Sequence, residues 1–188
     1  YWCSLGRLCA MTVTLAIDTS TSRTSVAIIE DGSILWSGHR DGATEHGPAL
    51  PSLVQEGIKG FAIDEVVVGM GPGPFTGLRV GIAFAQSFAL ARGISVRGVC
   101  SLDAIAAQVN EKDFIVTVDA RRKEVYWARY KDGVRVGEPA VSFPADVSGA
   151  PIHPDLYPDM KALVALTGNI IEPMYLRRPD AVATADRT

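Results

Sequence analysis

A loop of alternating glycine and proline, Gly71-Pro72-Gly73-Pro74, is followed at residues 76–92 by a strongly apolar helical segment. Its apolar side chains occupy nearly the whole circumference at helical spacing, and the polar ones are few. A helix with only one covered face would carry charge along its outer side. The pattern therefore predicts a helix covered on more than its sheet side, either by a large core or by another subunit. A membrane span is not predicted, because a bilayer needs about 20 apolar residues and this shorter segment contains Arg79.

The patterns around this segment indicate an α/β fold of two lobes. A strand meander, a helix and a short buried strand are predicted at residues 12–18, 25–30, 33–38, 48–59 and 64–70. From residue 113 a second meander begins, whereas residues 139–158 look mostly loop-like. We therefore expect a duplicated fold, with an N-terminal lobe over residues 11–110 and a shortened C-terminal lobe over residues 111–188.

The first ten residues are too short and too interrupted for the apolar core of a signal peptide. Met11 directly precedes the first predicted strand, so we expect it to be the native start and residues 1–10 to be a leader or a remnant. Cys3 and Cys9 lie in this segment and only Cys100 lies beyond it, which gives neither a disulfide framework nor a CxxC metal site. A reducing, cytoplasmic location is expected.

The charge balance argues against a free-standing nucleic-acid binder. A protein that holds a phosphate backbone alone usually has a basic surplus, whereas this chain has a net charge of -3. Two compact basic clusters, Arg121-Arg122-Lys123 and Arg177-Arg178, are candidates for local phosphate contacts, although solvated surface charge is the default explanation. Any RNA contact is therefore expected to be local or shared with a partner.

Two segments have features of phosphate-binding loops. The loop at residues 71–74 precedes a helix, but its spacing fits neither a Walker A loop nor the dinucleotide fingerprint. Residues 18–21, Asp-Thr-Ser-Thr, follow a strand and would present a carboxylate and hydroxyls to a metal-bound phosphate. An ordinary structural turn is the default interpretation of the Gly/Pro loop, and residues 18–21 also fit an ordinary turn that bonds its own backbone. The residues of this candidate phosphate-binding vestige are Asp18, Thr19, Ser20, Gly71, Gly73 and Thr76.

In their order along the chain, four motifs resemble the TsaB family, also called YeaZ. They are AIDTST at residues 16–21, GPGPFTGLRVG at residues 71–81, SLDA at residues 101–104 and YLRRP at residues 175–179. The second motif is the most distinctive. The resemblance covers the chain from Met11 to near its C-terminus.

The resemblance implies the actin-like ATPase (ribonuclease H-like) fold and a place in making threonylcarbamoyladenosine beside the anticodon of transfer RNA. The implied role is a non-catalytic subunit that pairs with a catalytic TsaD-type subunit, with a TsaE-type ATPase joining. A homodimer is expected when the chain is alone, and transfer RNA is expected only through the complex. No cofactor is assigned to this chain; ATP or ADP with Mg²⁺ is left as an option at the complex interface.

The implied pairing gives the helices at residues 48–59 and 76–92 a specific task. They are expected to pack against the corresponding helices of the partner across a two-fold or pseudo-two-fold axis. The residues expected at this interface are Leu50, Val54, Leu78, Ile82, Phe84 and Phe88.

Histidine spacing separates this chain from the catalytic relative that the resemblance names. That relative carries a metal-binding HxxxH, whereas no two of His39, His46 and His153 stand four apart here. We therefore expect no metal site and no catalytic residue, and we interpret His46 as a hydrogen-bonding residue at a helix entry.

An autonomous ATP-dependent enzyme of the same fold, a phosphotransferase or hydrolase, is the alternative. Asp18 would then hold Mg²⁺, and Asp119, at the end of an equivalent strand in the second lobe, would orient the attacking group. The second lobe offers no Gly-rich segment of the kind that usually covers adenosine in this fold.

Overall fold

Two sheets, each beginning with an antiparallel meander, form the framework of the chain in a computed structural model that describes residues 11–154 and 156–177. The first sheet has the strand order β3 (Ser33–Asp41), β2 (Arg23–Glu30), β1 (Val13–Asp18), β4 (Glu65–Gly69) and β5 (Ser95–Val99), with β4 and β5 parallel to β1. The second has the order β8 (Val134–Ser142), β7 (Val125–Lys131), β6 (Asp113–Asp119) and β9 (Ile152–His153), with β9 parallel to β6. This repeated arrangement is the actin-like α/β fold expected from the sequence.

The first half of the chain contains β1 (Val13–Asp18), β2 (Arg23–Glu30), β3 (Ser33–Asp41), α1 (His46–Gly57), β4 (Glu65–Gly69), α2 (Phe75–Arg92), β5 (Ser95–Val99) and α3 (Ser101–Ala106). The second half contains β6 (Asp113–Asp119), β7 (Val125–Lys131), β8 (Val134–Ser142), a 3₁₀ turn (Pro144–Asp146), β9 (Ile152–His153) and α4 (Met160–Ala165). The structure does not describe the expected leader at residues 1–10, nor Arg178 of the second basic cluster, nor residues 179–188 of the expected second lobe. The expected lobe boundary stays a prediction.

Helices cover both faces of the first sheet. Alternate strand residues such as Leu15, Ile17 and Val68 pack under α1 and α2, while their neighbours, such as Ala16 and Val67, face α3 and α4. Two-sided coverage explains why these strands are almost continuously apolar. α3 also contacts the second sheet through Leu102 and Ile105, so it lies between the sheets.

The region that looked loop-like is partly ordered, which corrects the prediction for residues 139–158. β8 continues to Ser142 because Pro139 sits on the edge strand, beside an irregular register in which Trp127 pairs with Ala140 and Arg129 with Val136. A bulge on an edge strand tolerates a residue without an N–H. Gly137, with φ of 79°, supplies the left-handed conformation at this bulge.

The last described residues return to the first sheet. Ile170 N donates to Gly98 O at 2.8 Å, and Met174 N donates to Met70 O at 2.9 Å. Residues 170–174 therefore run from the second half of the chain along the β5 side of the first sheet. Within the described part of the chain, none of the helices is both long and apolar enough to cross a bilayer.

Candidate functional site

The carboxylate of Asp18 lies at the end of β1 and is fully occupied by neighbouring donors. Its Oδ1 accepts from Ser20 N at 2.9 Å and from Ser20 Oγ at 2.7 Å, and its Oδ2 accepts from Ser101 Oγ at 2.6 Å. Asp18 is only 1% exposed. A phosphate or metal could reach this carboxylate only after Ser101 and the loop around Gly71 had moved.

Burial raises the pKa of Asp18, while the hydrogen bonds from Ser101 and Ser20 act in the opposite direction. Desolvation is the larger effect because the carboxylate is removed from water and no described cation pairs with it. The vestige predicted from the sequence is thus a closed structural cluster at Asp18.

The raised pKa of Asp18 predicts that the free energy of unfolding depends on pH, and the variant Asp18→Asn tests this. A folded-state pKa above that of the unfolded chain means that the native state binds the proton more tightly. The free energy of unfolding should therefore fall as pH rises above 3.8, by up to about 1.4 kcal/mol per pH unit, until the folded pKa is passed. Denaturant unfolding across pH 4–8 should show this slope flattened in Asp18→Asn but retained in the exposed control Asp146→Asn. Parallel profiles for the parent and Asp18→Asn would contradict the assignment.

Two glycines of α2 let the helix approach the loop after β1. A Cβ on Gly77 would collide with Thr19 O, and one on Gly81 would collide with Thr19 Oγ1, which itself donates to Gly77 O at 2.7 Å. These two glycines therefore permit a close backbone approach of α2 to the loop after β1, within the chain. Thr19 is consequently buried.

His46 closes the same region from the first turn of α1. Its Nδ1 is 2.8 Å from Thr24 Oγ1, and the ring is 4% exposed. Burial lowers its pKa, and the positive charge of Arg121 lowers it further. The hydrogen-bonding role expected for His46 is confirmed.

The Gly/Pro loop joins this cluster to α3. Gly71 O accepts from Ser101 N at 2.8 Å, and Gly71 N donates to Ser101 Oγ at 3.3 Å. Gly71 has a φ of 97°, and a Cβ on Gly73 would collide with Ser20 O. Five of the six vestige residues therefore meet at Asp18, whereas Thr76 is exposed at the start of α2 and faces away.

The residues expected at the partner interface divide into two groups. Leu50, Val54, Leu78 and Ile82 are 0–6% exposed and belong to the chain's own core under the first sheet. Phe84 and Phe88 are only partly buried, with ring centroids 6.1 Å apart. The chain itself already covers the first four residues. The sequence did not indicate this, because an all-apolar helical pattern does not reveal which side faces the sheet.

The outward face of α2 was not identified from the sequence. Thr76, Ala83 and Leu90 are exposed and recur every seven residues, so they lie along one line of the helix. Leu90 is 84% exposed. We call this line the outer α2 stripe; the partly buried Phe84 and Phe88 lie on one side of it, and the exposed Arg79 and Gln86 lie on the other.

Asp119 occupies the position in the second sheet that Asp18 occupies in the first. Its Oδ1 accepts from Arg121 N at 2.8 Å, two residues on, as Asp18 does from Ser20 N. Unlike Asp18, it is exposed and borders a cleft of about 320 Å³ between the sheets. Among the described residues, no group of three His, Cys, Asp or Glu side chains is placed to hold a metal ion.

A second cleft, of about 310 Å³, separates the start of α2 from the turn between β6 and β7. We call it the basic cleft. Sequence reasoning had identified both arginine clusters and Thr76, but nothing in their spacing indicated that they meet. The described residues lining this cleft are Gly73, Pro74, Phe75, Thr76, Ala120, Arg121, Arg122, Tyr126, Tyr175 and Arg177.

Comparison with known families gives a match over most of the chain. Residues 43–179 match the family described as "TsaD: tRNA N6-adenosine threonylcarbamoyltransferase". An uncharacterised protein of Mycobacterium tuberculosis is 41% identical, with 89% of this chain and 92% of the relative covered. The tRNA threonylcarbamoyladenosine biosynthesis protein TsaB of Escherichia coli is 36% identical over 66% of this chain. The chain spans 58% of that protein, and 56% of a 40% identical Mycobacterium leprae relative.

Solved structures give the same grouping. A Pseudomonas aeruginosa protein described as similar to peptidase YEAZ superposes with a TM-score of 0.76 at 27% identity, covering 89% of this chain and all of that one. A structure titled YeaZ from the same organism gives a TM-score of 0.70 at 27% identity, covering 82% and 90% of the two chains.

Proposed function

The chain belongs to the TsaB (YeaZ) family, and from this premise we propose that it is a non-catalytic subunit in the formation of threonylcarbamoyladenosine in transfer RNA. Its proposed partner is a TsaD-type catalytic subunit. The names of its relatives and the matching family support the pathway. The support for the subunit's task comes from α2.

The outer α2 stripe is the observation that carries the pairing proposal. An exposed leucine at 84% and an exposed alanine lie along one line of an 18-residue helix, and two half-covered phenylalanines lie on one side of this line. α1 packs beside α2, so a partner helix pair would complete a four-helix arrangement over this face. Burial of the stripe would supply the affinity, because apolar area removed from water stabilises association by about 25 cal/mol per Å².

The direct test is co-purification of the chain with a TsaD-type protein. We expect a one-to-one complex, and a homodimer of this chain when the partner is left out. A TsaE-type ATPase is proposed to join the pair, with ATP or ADP and Mg²⁺ at the complex interface. Size-exclusion chromatography that shows only separate monomers at micromolar concentrations would contradict the pairing.

The closed state of Asp18 supports placing the chemistry in the partner. A carboxylate that already accepts three hydrogen bonds at 1% exposure is held as part of the framework. We therefore expect the purified chain to hydrolyse ATP no faster than its Asp18→Asn variant, measured as phosphate release per mole of protein. ATP hydrolysis by the chain alone that disappears in Asp18→Asn would instead establish an autonomous enzyme.

A further inference from the structure

The basic cleft has a lining that favours an anion. Among the described residues that border it, three are arginines, three are aromatic and none is acidic. Asp119 and Glu124 line the neighbouring cleft of similar size, and from there they also pair with Arg121, at 3.8 Å, and with Arg177. Three arginines border the basic cleft against one lysine and two carboxylates in its neighbour, so the basic cleft has the more positive lining of the two.

The arginines are held in place by the backbone around them. Arg121, Arg122 and Lys123 all adopt left-handed conformations, with φ of 65°, 54° and 65°. Asp119 Oδ1 accepts from Arg121 N at 2.8 Å and so fixes the start of this turn. On the opposite side, Arg177 is paired with Glu124 and also donates to Ala120 O at 3.1 Å. The Arg121 guanidinium lies 3.8 Å from the Asp119 carboxylate, so the guanidinium groups of Arg121 and Arg177 are positioned before any ligand arrives.

The start of α2 adds a second source of positive potential. No described side chain caps this helix, and its first turn, which includes Phe75 and Thr76, contains no acidic residue. The first N–H groups of a helix lack intrahelical partners, and the helix dipole favours an anion beside them.

Aromatic rings complete the cleft. Phe75 and Tyr175 are in contact, with ring centroids 4.9 Å apart, and Arg79 lies over the Phe75 ring at 4.0 Å. Rings beside cations suit a ligand that is a phosphate at one end and a flat heterocycle at the other. A volume of about 310 Å³ fits one such unit.

We infer that the basic cleft binds a nucleotide phosphate, with the phosphate against the arginines and the start of α2 and the nucleoside against the aromatic rings. The nucleotide is either free or part of an RNA chain, since both present the same groups. This binding is a property of the chain itself and does not depend on the proposed partner.

Two probes distinguish the sources: ADP, titrated calorimetrically, and an unmodified transfer RNA transcript, titrated by fluorescence anisotropy. In the variant Arg121→Gln/Arg122→Gln, affinity for the probe that binds should fall at least about tenfold, as expected for lost charge-assisted hydrogen bonds. The control Lys123→Gln/Lys131→Gln removes the same charge, and neither lysine is among the described residues lining the cleft. It should stay within about twofold of the parent for ADP, and for RNA show only the smaller loss expected from general charge.

A second variant, Thr76→Asp, tests the same cleft in case Arg121→Gln/Arg122→Gln fails to fold. An acidic residue in the first turn of a helix stabilises the helix, yet here it would repel an anion from the cleft. If the parent chain binds ADP and both cleft variants lose this binding, the ligand is a free nucleotide. If the parent binds only the transcript and both cleft variants lose that binding, the ligand is RNA. The inference is overturned if the parent chain binds neither probe, or if the cleft variants and the lysine control bind alike.

Discussion

Leu90→Glu should abolish pairing of this chain with a TsaD-type partner while leaving its own fold intact. Leu90 is 84% exposed on α2, so in the isolated chain a glutamate there simply enters water. In the proposed complex the same glutamate would be buried against apolar side chains without a counter-charge. Uncompensated burial of a charge at the centre of an interface weakens binding by roughly 100-fold or more. Affinity measured by calorimetry or biolayer interferometry gives the result directly.

Two further variants sharpen this experiment. Ala83→Glu places the same charge seven residues earlier on the outer α2 stripe and should have a similar effect. Val134→Glu is the matched control, because Val134 is 68% exposed but lies on β8. Phe84 and Phe88 are less suitable positions, since both also pack against the chain's core. Unchanged affinity in Leu90→Glu, with thermal unfolding also unchanged, would exclude this face of α2 from the interface.

Gly69→Ala should destabilise the chain by several kcal/mol and leave little folded protein. Gly69 ends β4, and a methyl group there would overlap Asp18 Oδ2 and Ser101 Oγ. Those two atoms are joined by a 2.6 Å hydrogen bond at full burial, so neither can move aside without losing a partner. Forcing extra volume into a tightly packed region costs about 1–3 kcal/mol, and a disrupted buried hydrogen bond adds about 1–3 kcal/mol.

Gly47→Ala provides the control for this second prediction. Gly47 is an exposed residue of α1, and a Cβ there would meet no atom within 4 Å. Alanine is favoured over glycine inside a helix by about 1 kcal/mol, so this variant should be as stable as the parent or slightly more stable. Urea unfolding followed by circular dichroism compares the two. Equal midpoints for Gly69→Ala and the parent would show that the Asp18 cluster is less rigid than its geometry indicates.

Much of the fold follows from local patterns in the sequence. The β-rich runs at residues 12–18 and 25–30, and the apolar run at residues 64–70, predicted strands close to β1, β2 and β4 as observed. These features depend on period and turn chemistry within short windows.

The features that could not be predicted depend on distant residues. The β8 extension through Pro139 requires that β8 be an edge strand, which only the sheet order reveals. Similarly, Arg177 reaches the basic cleft only because residues 170–174 return to the first sheet. The side of α2 that faces the sheet could not be predicted for another reason. Apolar residues occur on nearly every side of this helix, so its hydrophobic periodicity does not indicate which side is buried.

The return of residues 170–174 also bears on how the molecule can move. Ile170 N and Met174 N bind the first sheet, and Arg177 donates to Ala120 O at the end of β6, so a hinge motion of the two sheets about α3 would strain these hydrogen bonds. Each such backbone bond opposes the motion by about 1 kcal/mol. Arg23 adds a similar tie, since it pairs with Asp41 and lies over the Tyr157 ring at 3.9 Å. These contacts oppose a hinge motion between the two sheets, and so keep the outer α2 stripe and the basic cleft at a fixed distance from each other.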